Sequence, residues 1–212
     1  MTRFVLATRN AHKVLELREI LGDRLGPHEL VGLDALPGGG GPEPVEDGAT
    51  FAENALIKAR AAAAHGLPAI ADDSGISAVA LGGQPGIHSA RYAQLAAEVE
   101  GRVIPRDDGE NLRLLLRRLE GATDRRASFW CAAALVDPAA PEVEREHVEL
   151  AEWPGAVLEQ PAGQGGFGYD PVFRPEGSAV SSAELSREEK NRLSHRAQAF
   201  ARLVEELRRR YG

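Results

Sequence analysis

The 212-residue chain is 43% apolar and 27% charged with a formal charge of -7, a globular composition long enough to bury a substantial interior as one domain. That charge argues against a nucleic-acid polymer as partner, because such binding needs Lys and Arg to replace the counterions of the phosphate backbone. Cys131 is the only cysteine, which excludes an internal disulfide and a cysteine-based zinc site. Neither a signal-peptide core nor a run of about 18 apolar residues occurs, so a cytoplasmic protein with no membrane partner is expected.

In chain order, Arg3 to Ala7 is a short apolar run, and Asn10 then caps a helix whose apolar positions Val14, Leu17, Ile20 and Leu21 recur at helical spacing. Glu29 to Leu33 reads as a second strand, followed by a Pro/Gly-rich loop from Pro37 to Pro44 whose GGGG run is expected to be mobile. Thr50-Phe-Ala-Glu53 has the capping-box pattern and opens an Ala-rich helix to about His65, stopped by Gly66 and Pro68. Pro68 to Ala71 reads as a strand ending at Asp72-Asp73-Ser74-Gly75, Gly82 to Gly86 as a turn, and Asn111 to Leu119 as an amphipathic helix. Phe129 to Val136 and Val143 to Ala151 form a hairpin through Asp137-Pro138. A second glycine-rich stretch, Gly163 to Asp170, precedes a strand from Pro171 to Phe173, and Ser186-Arg-Glu-Glu189 opens the first of two helical segments that meet near Ser194-His195.

Of 25 basic residues, 22 are Arg, and Lys stands only at positions 13, 58 and 190. A chain that uses Arg for general surface charge retains Lys where a compact, mobile ammonium is wanted, as on a phosphate; three lysines by chance is the bland alternative. Thr8 to Lys13 lies between a strand and a helix, where free amides and the helix dipole suit an anion. Asn10 as a mere cap and Lys13 as a solvated residue is the alternative there. The acidic set Glu46, Glu53, Asp72 and Asp73 cannot all be buried without a cation or a shifted pKa, and magnesium, which takes one or two carboxylates plus water and phosphate, answers that need. Glu53 serves equally well as the capping-box partner. Asn54 and Lys58 share a helix face, so an amide and an ammonium can address one phosphate. Phe167 between glycines suits either stacking on a base or a core position, with Asp170 as an acceptor. Lys190, His195 and Arg196 offer donors that match the 6-oxo group of hypoxanthine or xanthine and mismatch the 6-amino group of adenine; an interhelical cap and a surface Arg are the alternatives.

Six stretches carry a resemblance in order along most of the chain: LATRNAHKVLEL from Leu6, EDGATFAENALIKA from Glu46, PAIADDSGI from Pro68, LGGQPGIHSARYA from Leu81, PAGQGGFGYDPVF from Pro161 and AELSREEKNRLSHRAQA from Ala183. Together they resemble the inosine triphosphate pyrophosphatase family, the XTP/dITP diphosphatases. The resemblance implies an α/β fold with an elongated mixed β-sheet flanked by helices, one domain over residues 1-212 with two lobes and a central cleft, and a homodimer. It implies hydrolysis of ITP, dITP and XTP to the monophosphate and pyrophosphate with Mg2+. By the same resemblance Thr8, Arg9, Asn10, Ala11, His12, Lys13 and Lys58 would grip the triphosphate, Glu46 and Asp73 would hold the metal, and Asp73 would act as the base. Ser74 would help to bind substrate, and Phe167, Gly168, Tyr169 and Asp170 would hold the purine with Lys190, His195 and Arg196. Two features depart from the pattern: Arg9 and His12 stand where many relatives have smaller residues, and the Gly38 to Gly41 run is unusual. A pyrophosphatase for another modified nucleotide, or a nucleotide-binding regulatory module without turnover, are the rival functions.

Overall fold

A computed structural model describes residues 1-212, the side chain at position 23 apart. Six strands, β1 (Arg3–Leu6), β2 (Glu29–Gly32), β3 (Ala69–Ala78), β4 (Arg126–Val136), β5 (Glu146–Val157) and β6 (Phe173–Pro175), form one sheet in the order β2-β1-β3-β4-β5-β6. It is mixed: β1 runs parallel to β2 and to β3, while β5 and β6 are antiparallel. The helices are α1 (Ala11–Leu21), α2 (Phe51–Ala63), α3 (Tyr92–Val99), α4 (Asp108–Arg118), α5 (Arg187–Leu193) and α6 (His195–Tyr211). This is the mixed α/β fold that the sequence implies.

The chain divides into two compact units, the first comprising Met1–Asp73, Cys131–Ala151 and Asn191–Gly212, the second Ser74–Trp130 and Glu152–Lys190. In the first unit the alternation of side chains along each strand sorts residues onto two faces. Phe4, Leu6, Ile70, Cys131, Ala133 and Leu135 pack with Leu17, Ile20 and Leu21 of α1 and with Phe200, Leu203 and Leu207 of α6. Their neighbours Val5, Ala69, Ala71, Ala132 and Ala134 pack with Ala55, Ala59, Ala62 and Ala63 of α2. Small side chains on both partners let α2 lie close to the sheet, which suits a helix that carries Lys58. In the second unit Leu112, Leu115 and Leu119 join Ile76, Phe129, Trp153 and Phe173, with the Phe129 and Phe173 rings edge to face at 4.5 Å.

Several boundaries differ from the sequence reading for identifiable reasons. β3 does not stop at the acidic pair but continues through Asp72 to Gly75 as far as Ala78, because cations neutralise the two carboxylates and remove the cost of burying them. α4 begins at Asp108, earlier than Asn111, since the Asp107 carboxylate accepts the Glu110 amide at 2.7 Å. α3 carries no side-chain cap and so offered no start signal. β5 begins at Glu146 rather than Val143, after a short 3-10 turn at Glu142–Glu144, and it runs past Ala151 through Pro154 to Val157. The expected strand from Pro171 is instead a 3-10 turn at Asp170–Val172 leading into β6.

The Gly38 to Gly41 run is also more constrained than a free loop. All four glycines have positive φ, from 63° to 76°, which only glycine adopts at little cost. The Arg9 guanidinium donates to the Gly39 carbonyl at 3.4 Å and to the Gly41 carbonyl. Arg9 and the Gly38 to Gly41 run, noted separately in the sequence, are thus in contact.

Candidate active site

In the first unit, the loop after β1 delivers Thr8 to Lys13 at the start of α1. Thr8 Oγ1 accepts the Asn10 amide at 3.2 Å, and Asn10 Oδ1 accepts the amides of His12 at 2.9 Å and Lys13 at 3.2 Å. Asn10 is therefore a genuine N-cap, and two amides read from sequence as free for an anion are already taken. Ala11 and His12 are exposed, whereas Lys13 is half-buried with its ammonium 2.9 Å from Asp72 Oδ2.

Asp72 is the centre of a buried ionic chain. Its Oδ2 also accepts Arg196 Nε at 3.2 Å, and Arg196 Nη1 donates to Glu16 Oε2 at 2.6 Å. Burial alone would raise the Asp72 carboxyl; Lys13, Arg196 and Lys58 overcome that and hold it well below the usual carboxylate range. Burial would likewise lower Arg196, but Glu16 and Asp72 raise it instead. Arg196 is thus not a surface residue: it is 2% exposed, at the first turn of α6, beside a buried His195. Glu16 escaped the sequence reading, although its position three residues after Lys13 puts both on one face of α1.

The neighbouring carboxylate, Asp73, belongs to a second cluster. Lys58 Nζ lies 2.9 Å from Glu46 Oε2 and 2.9 Å from Asp73 Oδ1. Its helix is set by a complete capping box, Thr50 Oγ1 accepting the Glu53 amide at 3.1 Å and Glu53 Oε2 accepting the Thr50 amide at 3.2 Å. Glu53 is therefore the capping partner and stands outside the acidic cluster. Asn54 has a structural role as well: its Oδ1 accepts the Gly48 amide at 2.9 Å and pins the segment that carries Glu46. Burial, the largest influence, and Glu46 together raise the Asp73 carboxyl above its ordinary value despite Lys58 and Lys13. Lys58 is raised as well, since Asp73, Asp72 and Glu46 outweigh its own burial.

These residues fit magnesium. Glu46 and Asp73 converge on one ammonium, and Asp73 Oδ2 is buried with no hydrogen-bond partner among the described residues. No group of three or more His, Cys, Asp or Glu side chains able to hold a metal occurs among the described residues; with two carboxylates as ligands, the other positions of a magnesium ion would fall to water and phosphate.

In the second unit, Ser74 follows Asp73 on β3 and is half-buried. Asp170 organises the glycine-rich turn. Its Oδ2 accepts the Phe167 amide at 2.8 Å and Lys190 Nζ at 2.6 Å, and its Oδ1 accepts Ser182 Oγ at 2.8 Å. The Lys190 ammonium lies 5.2 Å from the centre of the half-buried Phe167 ring. Tyr169 is in the core, with its hydroxyl donating to the Ser89 carbonyl at 2.8 Å. Gly168 has φ +61°, and Gly166 has φ +69° with Asp170 Oδ2 only 2.1 Å from where a Cβ would be. Gly166→Ala is accordingly expected to destabilise the protein by roughly 2 kcal/mol or more, read from the midpoint of urea unfolding.

Comparisons with known proteins identify the family. The chain is 50% identical to the dITP/XTP pyrophosphatase of Streptomyces coelicolor over the full length of both, and 49% identical to that of Leifsonia xyli, covering 98% of this chain and 96% of the relative. Among solved structures, a HAM1 protein from Coxiella burnetii superposes with a TM-score of 0.81 at 38% identity, covering 99% of this chain and 100% of that one. A nucleoside-triphosphatase, dITP/XTP pyrophosphatase, from Mycobacterium abscessus gives 0.71 at 42% identity over 95% of this chain and 98% of that one. The model of the Ham1 family matches residues 4–206, nearly the whole sequence, and the chain belongs to that family.

Proposed function

We propose that this chain hydrolyses purine nucleoside triphosphates with an aberrant base, dITP, ITP and XTP, to the monophosphate and pyrophosphate. The observation that carries the reading is the pairing of two half-buried lysines with adjacent carboxylates: Lys58 between Glu46 and Asp73, and Lys13 on Asp72. Relatives of about half-identical sequence are dITP/XTP pyrophosphatases, which supports the choice of substrate.

Glu46 and Asp73 would hold Mg2+, which when bound supplies positive charge to the phosphates. Asp73, with its carboxyl raised by burial, is suited to accept a proton from the attacking water. Water oxygen bonds to the α-phosphorus, the bond from that phosphorus to the oxygen bridging to the β-phosphate breaks, and pyrophosphate leaves with that electron pair. Lys13 and Lys58 neutralise the phosphate oxygens, so positioning and charge stabilisation supply most of the rate. Arg196 and Glu16 fix Asp72 and through it Lys13. At the base, the Lys190 ammonium beside the Phe167 ring donates to a 6-oxo group. Adenine would present an N-H where an acceptor is required.

Incubation with dITP, ITP, XTP, GTP, ATP and dUTP, in magnesium and in chelator, checks the reading. The expected result is pyrophosphate and monophosphate from dITP, ITP and XTP, lost in chelator. Release of orthophosphate, or equal turnover of ATP, contradicts it. No helix among the described residues is long and apolar enough to cross a membrane. The proposed enzyme acts in the cytoplasm on the free nucleotide pool, and as a homodimer, a state that light scattering of the purified protein tests.

A further inference from the structure

Lys58 sits where two opposite demands meet. Its ammonium takes one oxygen from Glu46 and one from Asp73, both at 2.9 Å, and these are the carboxylates whose chemistry suits a divalent cation. A cation bound by both would place two positive charges and an ammonium within a few ångströms, where repulsion is strong. Nor is Lys58 at liberty to withdraw into water: its side chain is only 13% exposed, and a buried ammonium stripped of its carboxylates is costly. It needs a replacement anion, and a triphosphate is one. The backbone does not have to move for the exchange, because Lys58 projects from a helix whose start is capped, on a flexible four-carbon stem.

We propose that Lys58 is a built-in stand-in for the metal ion. It neutralises Glu46 and Asp73 in the nucleotide-free protein and passes to a phosphate oxygen when the metal arrives with nucleotide. The protein therefore binds free metal weakly and the metal-nucleotide complex strongly, which keeps the site from filling with an unproductive cation. This inference rests on the metal ligands assigned under the proposed function, but not on the identity of the base.

Its test uses Mn2+ alone, with free ion counted by electron paramagnetic resonance, on nucleotide-free full-length protein. Lys58→Met is expected to bind Mn2+ roughly tenfold or more tightly than the wild type, the scale set by removing a charge in contact with the ligands. Lys58→Arg, which retains the charge, is expected to stay weak. Lys13→Met, which removes the same charge from beside Asp72 instead, is expected to change the affinity far less. If Lys58→Met loosens the fold, the rise in its melting temperature on adding Mn2+ gives the same answer: a larger rise than in the wild type supports the exchange. Equal or weaker Mn2+ binding by Lys58→Met overturns it, as does an equal gain in Lys13→Met. Because no nucleotide is present, a different hydrolysed substrate would leave this result untouched.

Discussion

Asp73→Asn is expected to lower kcat for dITP by about 10²- to 10⁴-fold, the usual contribution of a positioned base, without lowering thermal stability. The two halves of that expectation share a cause. Asp73 is buried, and burial with Glu46 close by raises its carboxyl above the ordinary value. A carboxyl bound to protons more tightly in the folded than in the unfolded chain subtracts from stability once pH exceeds its unfolded value, and gives that back only as pH falls through the folded value. Asparagine has the same shape and never ionises, so near neutral pH it relieves this cost while Lys58 retains Glu46. Under the proposed mechanism the chemistry loses its base and one of two metal carboxylates at once. Steady-state pyrophosphate release and a thermal melt on the same preparation check both halves. Undiminished turnover rejects the catalytic role, and a large fall in melting temperature rejects the view that Asp73 is held at a cost to the fold.

The rarity of lysine was the most informative feature of the sequence. Lys13, Lys58 and Lys190 each end on a carboxylate that the motifs had also singled out or adjoined: Asp72, Glu46 with Asp73, and Asp170. Capping boxes at Thr50 and Ser186 and the cap at Asn10 were legible because each is a local pattern of a few residues. What sequence hid was long-range pairing. Glu16 and Arg196 are 180 residues apart in the chain, and an isolated Glu on an amphipathic helix looks like surface. The same blindness ended β3 at Asp72, since a run of acids reads as a loop until the cations that neutralise it are known. Asp170 was read as an acceptor for the base, and the sequence did not reveal that it also accepts from the Phe167 amide, Ser182 and Lys190 of its own chain.

That last engagement carries a large expected effect on stability. Asp170→Ala removes, in one step, the carboxylate from a Lys190 that is 8% exposed, the acceptor from the Phe167 amide, and the partner of Ser182 Oγ. Losing one partner of a buried ion pair costs about 3–5 kcal/mol, a large share of the roughly 5–15 kcal/mol by which proteins are stable. For a chain of this length, that lowers the melting temperature by roughly 10 °C. The design of the control decides between charge and volume. Asp170→Asn keeps an oxygen for the Phe167 amide but not the charge, so it is expected to fall between Asp170→Ala and wild type. Adding Lys190→Met to Asp170→Ala removes the stranded ammonium and is expected to restore part of the loss, since an ion pair replaced entirely by apolar groups is often tolerated where half a pair is not. Urea unfolding of the three variants reads these differences directly. If Asp170→Ala cost less than about 1 kcal/mol, the figure for an ordinary neutral hydrogen bond, then Lys190 would draw little from Asp170, and the turn around Phe167 would owe its shape to its glycines instead.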